Sequence, residues 1–342
     1  MIKKYPIIGT HPMNNQKENL TPSHLRTNSP LSSPTVSVIM NCLNGEKYLR
    51  EAIDSVYAQT YKDWEIIFWD NASTDSSADI AKSYDEKLRY FRSEETVPLG
   101  KARNWAIEQA RGEYIAFLDC DDIWLPEKLE KQINILESKP CIDLVYSNYF
   151  RMIMSKNNKL VLGLKRNQPD GHIFRQMLRQ YTVNMQTVII RKTALTSIGT
   201  LFDENLNLSA EYDLFMRILF KSKAAYSKEP LAIYRIHKDM SSIKFKSGFA
   251  KEILYIVDKF KQLEPSFNKK YHSELKYLNA LIAYLKADTA IKNGNLREAR
   301  TYLHPYKLVN YKYFILYFAI YLPGAWRALH DFRNKVHILL NS

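Results

Sequence analysis

Tyr114-Ile115-Ala116-Phe117-Leu118-Asp119-Cys120-Asp121-Asp122 is an apolar run that stops abruptly at three acids. Its length and apolar character fit a buried strand. In an extended backbone residues i and i+2 point to one side, so Asp119 and Asp121 are placed to serve one ligand. Two carboxylates held together repel and are costly to desolvate, so a positive group belongs in front of them. A hard divalent cation takes oxygen ligands and can carry a diphosphate on its far side. The alternative is a solvated acidic turn. Asp122 is expected to cap the helix that follows, before Pro126 and the periodic stretch 125–136.

Upstream of this run, strand and helix alternate. Residues 35–41 are apolar and β-branched, Asn44-Gly45 makes a turn, and Leu49, Ile53 and Val56 form a helical stripe within 46–59. A strand over 64–69 ends at Asp70-Asn71-Ala72-Ser73-Thr74-Asp75. A helix over 78–84, a strand over 88–91 and a helix over 100–110, closed by Gly112, lead to the acidic run. This order implies an α/β fold with a mostly parallel sheet covered on both sides. In such sheets ligands sit beyond the carboxyl ends of the strands. Three polar clusters fall there, at 41–44, 70–75 and 119–122. Residues 144–154 and 187–191 read as further strands, and 211–220 as an amphipathic helix. Helices are expected over 251–260, 271–292, 296–303 and 311–322, with Gly294 at the turn of a plain helical hairpin rather than a repeat array.

The chain has 342 residues, 46% of them hydrophobic, enough for one large domain and an appendage. Cys42, Cys120 and Cys141 lack metal-ligand spacing and make no even disulfide set, which points to a reducing compartment. The net charge of +13 is uneven: residues 1–34 carry four Lys/Arg and one acid, 35–245 carry 29 and 28, and 246–342 carry 16 and 7. Basicity at the ends, not in the core, argues against a nucleic-acid-binding core. Lys3 and Lys4 are not followed by an apolar segment, so no signal peptide is expected. Residues 9–34 are rich in Asn, Thr, Ser and Pro and read as a disordered lead-in. The resulting division is 1–34 lead-in, 35–245 catalytic domain and 246–342 basic helical region.

Several segments, in order, resemble family 2 glycosyltransferases: Val36-Ser37-Val38-Ile39-Met40, Asn44-Gly45-Glu46-Lys47-Tyr48-Leu49, Trp64-Glu65-Ile66-Ile67, Asp70 to Asp75, Gly100-Lys101-Ala102-Arg103-Asn104 and Gly112 to Asp122. The similarity spans about residues 35–240. It implies the GT-A nucleotide-diphospho-sugar transferase fold, a Rossmann-like mixed sheet, here with a helical C-terminal extension. It also implies inverting transfer of a sugar from a nucleotide-diphosphate donor, a UDP-sugar by expectation, to a hydroxyl of a glycan or lipid-linked acceptor in cell-surface polysaccharide or lipopolysaccharide synthesis. The alternative is a non-catalytic nucleotide-sugar-binding scaffold. Sugar nucleotidyltransferases need a glycine-rich phosphate loop near the first strand, and residues 41–47 offer only Gly45. A processive synthase would need membrane spans.

On this resemblance Asp119-Cys120-Asp121 is a DxD motif. Asp119 lies near the donor ribose and Asp121 holds Mn²⁺ or Mg²⁺ on the diphosphate, where the ion assists departure of the nucleoside diphosphate. Asp70 is similar to the acid that reads the nucleobase, with Asn71 where many relatives carry a second Asp. Asn44 and Glu46 lie on the loop that cradles the nucleoside, although Glu46 also suits a helix first turn. Arg103 is placed to touch the diphosphate or buttress the acids. Ala210-Glu211-Tyr212-Asp213-Leu214 resembles the segment that carries the catalytic base. Glu211 stands at the base position, and Asp213 is the second candidate or a supporting acid. Tyr234-Arg235-Ile236-His237 resembles the closing segment, in which His237 completes the metal or diphosphate shell. Residues 235–245, with Ser241 and Ser242, are expected to order over the donor.

The family likeness fades after about residue 245. Residues 311–322 are rich in aromatics, and Lys307, Lys312, Arg327, Arg333 and Lys335 flank them. Aromatics with basic neighbours, on a run too short to span a bilayer, suit a membrane interface. The expected location is therefore cytoplasmic, peripheral at the inner face of the plasma membrane. A helix packed on the core and a homodimer contact are the alternatives.

Overall fold

The computed structural model describes residues 33–238, 240 and 248–322. The lead-in (apart from its last two residues), Ser241 and Ser242, and Arg327, Arg333 and Lys335 lie outside the described residues. The first half follows the expected alternation: β1 (Val36–Cys42), α1 (Glu46–Tyr57), β2 (Trp64–Asp70), α2 (Ser77–Lys82), β3 (Leu88–Arg92), α3 (Leu99–Glu108) and β4 (Tyr114–Phe117). Beyond it come β5 (Ile123–Trp124), α4 (Lys128–Ser138), β6 (Leu144–Ile153), β7 (Lys159–Leu162), α5 (Phe174–Arg179), β8 (Ile189–Arg191), α6 (Lys192–Ser197), α7 (Ala210–Lys221) and β9 (Ala224–Ile236). The tail supplies α8 (Phe249–Leu263), α9 (Phe267–Lys270), α10 (His272–Lys292), α11 (Leu296–Leu303) and α12 (Tyr311–Ala319).

The strands form one sheet in the order β3-β2-β1-β4-β8-β6-β9-β5, with β7 paired to β6. The four N-terminal strands run parallel, and β8 enters antiparallel to both β4 and β6. All seven residues of β1 are buried, as a strand covered on both faces requires. Ile39, Ile67 and Phe117 face one core, while Val38, Met40, Ile66 and Phe68 face the other. Gly112 lets the α3–β4 turn lie directly on β1: a Cβ there would sit 2.6 Å from the Ser37 nitrogen.

The strand β9 is the principal element that sequence patterning misses. Lys228-Glu229-Pro230, two charges and a proline, lies inside a 13-residue strand. The ladder with β6 absorbs Pro230 by shifting register between Ser147 and Asn148, a bulge that accepts a residue without an N–H donor. The short elements β5, β7, α5 and α6 also go beyond the expected pattern. The first core continues without a break from Phe117 through Phe215 to Ile253, Phe260 and Leu278, so α8 and α10 pack directly on α5 and α7. A smaller cluster of Ala283, Tyr284, Ala287, Leu303 and Tyr317 holds α10, α11 and α12 together.

Candidate active site

The loops after β1 and β2 are bonded to one another at the carboxyl rim of the sheet. Asn44 N donates to Ser73 Oγ at 3.0 Å, and Asn44 Oδ1 accepts from Thr74 N at 2.8 Å. Glu46 N donates to Asp75 Oδ2, and Glu46 Oε2 accepts from Ser76 N, both at 3.0 Å. Asn44 holds a left-handed backbone (φ 55°), which Asn tolerates better than most residues. The side chains of Asn44 and Glu46 thus join one loop to the other instead of standing free.

Asp70 ends β2 and is fully buried. Its Oδ1 accepts from Ser73 N at 2.7 Å, and its Oδ2 accepts from Tyr90 Oη and Arg92 Nη1, each at 2.6 Å. The carboxylate therefore sits beneath the 71–75 turn and orders it, with Arg92 as the counter-ion that sequence reasoning missed. Asn71 holds the loop before α3: Nδ2 donates to Val97 O at 2.8 Å, and Oδ1 accepts from Val97 N at 3.0 Å. An Asp at this position could not donate to that carbonyl.

The acidic run departs from the expected strand. β4 stops at Phe117, and Asp122 N bonds back to Asp119 O at 3.1 Å, so the acids lie on a turn. Each acid has a different partner. Asp119 Oδ1 pairs with Arg103 Nη2 of α3 at 2.9 Å, and Asp121 Oδ2 lies 3.0 Å from His237 Nε2, just past β9. Burial and the Asp119 charge push the Asp121 carboxyl up, and His237 opposes them. Asp122 does not cap α4, which starts six residues later behind β5. Its Oδ1 instead accepts from Arg235 N at 2.9 Å, and its Oδ2 has no partner among the described residues. Burial, Asp121 and Asp119 together push its carboxyl well above the usual range. Cys120 packs behind the loop, where it and Cys42 pinch Gly45: a Cβ there would meet Cys42 Sγ at 2.7 Å and Cys120 Sγ at 2.9 Å. The three cysteines are free thiols.

The structure separates the two candidate bases. Glu211 lies in the first turn of α7, partly exposed, with no side-chain partner among the described residues. Burial pushes its carboxyl up, the Arg103 guanidinium opposes, and Asp119 and Glu252 add to the rise. Asp213 is fully buried between Arg217 Nη2 at 2.7 Å and Lys259 Nζ at 2.8 Å. It is a core anchor of α7 and is not presented to an acceptor. Lys259 also binds Asp203 at 2.8 Å. Glu252 of α8 accepts from the backbone N–H groups of Asn207, Leu208 and Ser209, which lead into α7. No spacing rule points to Glu252 or Lys259, because they arrive from the tail where the family likeness has faded.

The residues fit a divalent cation held by few protein groups. Asp121 offers an oxygen and His237 a nitrogen side by side, and His237 Nδ1 is buried without a partner among the described residues. Among the described residues no three His, Cys, Asp or Glu side chains form a complete cage. A substrate diphosphate and water would supply the remaining ligands.

The profile of "Glycosyl transferase family 2" matches residues 37–194. An uncharacterised glycosyltransferase of Rickettsia typhi is 35% identical over 60% of this chain and 65% of its own. The putative teichuronic acid biosynthesis glycosyltransferase TuaG of Bacillus subtilis is 31% identical over 63% of this chain and 84% of its own. Among solved structures, S. aureus TarS 1-349 in complex with UDP-GlcNAc superposes with a TM-score of 0.61 at 18% identity, over 88% of this chain and 92% of that one. The sheet order, the paired acids and these matches agree: the chain belongs to glycosyltransferase family 2 and has the GT-A fold.

Proposed function

We propose that the chain is an inverting, metal-dependent glycosyltransferase. It moves a sugar from a nucleoside-diphosphate donor to a hydroxyl of a glycan or lipid-linked acceptor in surface-polysaccharide synthesis. The observation that carries the reading is the division of labour among the acids: Asp119 is paired with Arg103, Asp121 faces His237, and Glu211, with no side-chain partner among the described residues, feels the charges of Arg103 and Asp119. The teichuronic acid role in the name of TuaG and the UDP-GlcNAc held by TarS support the acceptor and donor classes.

In this reading Glu211 takes the proton of the acceptor hydroxyl as its oxygen attacks the anomeric carbon. The bond from that carbon to the diphosphate oxygen breaks, its electrons leave with the nucleoside diphosphate, and the configuration inverts. A raised carboxyl suits a base that must first be ionised and then hold a proton. Arg103 orients Asp119 at the donor and tempers the charge of Glu211. Mn²⁺ or Mg²⁺ held by Asp121 and His237 would supply Lewis-acid stabilisation of the leaving diphosphate. Asn44 and Glu46 shape the nucleoside end by fixing the two loops to each other, Asp70 by ordering the 71–75 turn, and Asn71 by holding the loop before α3. Residues 35–245 supply this chemistry and 246–342 support it, at the inner face of the plasma membrane.

The test is a nucleotide-sugar screen by thermal shift with Mn²⁺ or Mg²⁺, followed by donor turnover. The wild type is expected to be stabilised by one donor in a metal-dependent way, and Asp121→Ala is expected to lose both stabilisation and turnover. Full turnover by Asp121→Ala would sink the reading.

A further inference from the structure

We infer that one face of α12 docks on an anionic lipid bilayer. Tyr317, Ala319 and the adjacent Ile320 are buried against α10 and α11. The other side carries Tyr311, Phe314, Ile315 and Phe318, at the i, i+3, i+4, i+7 spacing of one helical stripe, and Leu322 one turn further on. These five side chains are 71, 46, 48, 47 and 63% exposed, and Leu308 just before the helix is 77% exposed. Scattered exposed apolar residues are ordinary, but a continuous stripe of large ones marks a contact surface.

Charge selects the occupant. No Asp or Glu occurs between Glu298 and Asp331, whereas Arg300, Lys307, Lys312 and Arg327 do. A second copy meeting this face across a two-fold axis would bring lysine to lysine, with no acid in the 299–330 stretch to compensate. An anionic bilayer complements both features: its acyl boundary takes the aromatic stripe and its headgroups take the lysines. The nine-residue helix is too short to cross a membrane, and no described helix is long and apolar enough to do so. The face therefore lies in the interface plane, on a helix fixed to the catalytic body through α10. The inference is compatible with a lipid-linked acceptor and does not depend on one.

The experiment is flotation of the full chain with phosphatidylglycerol vesicles and with phosphatidylcholine vesicles. Alongside run a Phe314→Ser, Ile315→Ser, Phe318→Ser variant and a Lys307→Glu, Lys312→Glu variant. Binding to the anionic vesicles alone is expected. The serine variant should weaken it by roughly tenfold or more, and the glutamate variant should remove the lipid preference. Unchanged melting and donor turnover in solution would show that both variants fold, and would keep this result separate from any failure of the catalytic reading. The inference is overturned by absence of flotation, by equal flotation of the serine variant, or by a dimer that the serine substitutions dissociate.

Discussion

Glu252 of α8 accepts a 2.7 Å hydrogen bond from the backbone nitrogen of Ser209, the residue immediately before the helix that carries Glu211. The same carboxylate also binds the Leu208 and Asn207 nitrogens at 3.0 Å. Ser209 is the natural N-cap by residue type, but its hydroxyl has no partner among the described residues. The entry to the helix of Glu211 is thus held from the tail. Charge-assisted bonds to backbone N–H groups contribute more than neutral ones. Glu252→Ala is expected to destabilise the protein by about 1–3 kcal/mol. Urea unfolding measures this, and a midpoint equal to wild type would refute it.

Glu252→Gln tests the electrostatic share of the same contact. Arg103, Asp119 and Glu252 are charged groups that act on Glu211. On the proposed function Glu211 is the base and works ionised, so turnover is expected to rise with pH through its pKa. Removing the negative charge of Glu252 lowers that pKa, and the rising limb of the pH–rate profile should move to lower pH. Removing the positive charge with Arg103→Met should move it the other way. A limb that ignores both changes would mean that another group titrates.

Glu211 and Asp213 lie two residues apart and should fail differently. Glu211→Gln is nearly isosteric at a partly exposed position with no side-chain partner among the described residues, so melting should hardly change while turnover falls by about 10²-fold or more. Asp213→Asn strips the countercharge from buried Arg217 and from Lys259. It is expected to cost about 3–5 kcal/mol. Comparing kcat and Tm for the two variants decides; equal loss of both in each would erase the distinction.

Acid stability should depend on Asp203. Burial alone would raise its carboxyl, but hydrogen bonds from Lys259 and the Asn205 backbone hold it at about 2, against 3.8 ordinarily. A group depressed in the folded state stabilises above its unfolded pKa and loses that contribution as pH falls through the folded one. Tm should therefore drop between pH 3.8 and about 2, and less steeply in Asp203→Asn. Parallel curves for the two proteins would count against the assignment.

Gly45 offers a packing test behind the acidic loop. A methyl group there collides with both Cys42 Sγ and Cys120 Sγ. Gly45→Ala is expected to cost about 1–3 kcal/mol. Cys120→Ala removes one collision, so the double variant should be more stable than additivity allows, by about 0.5 kcal/mol or more.

The parts of this molecule that were legible in its sequence are those where local pattern and long-range pairing agree. The runs at Val36, Trp64 and Tyr114 are apolar because both faces of a parallel strand are covered, and they form β1, β2 and β4. The meeting of Asp121 and His237 was legible only through the family resemblance, since 116 residues separate them. β9 stayed hidden because Pro230 and two charged neighbours mimic a turn, and only the bulge opposite them on β6 makes a strand tolerable. Asp122 looked like a helix cap because its residue type and place suit one. Its partner, the Arg235 backbone, lies on the strand that could not be seen. Glu252 and Lys259 were out of reach because a lone charge on an amphipathic helix carries no sign of what it will meet.

The anchoring of Ser209 by Glu252 has a consequence for the order in which the molecule is made. The two residues are 43 positions apart, and a chain grows from its N-terminus. The loops that end in Asp75 and Asp122 are complete long before Glu252 is added. A nascent chain can thus assemble the carboxyl rim of its sheet while the helix of Glu211 still lacks its anchor. The entry to the helix of Glu211 is then secured last, by a segment made after it.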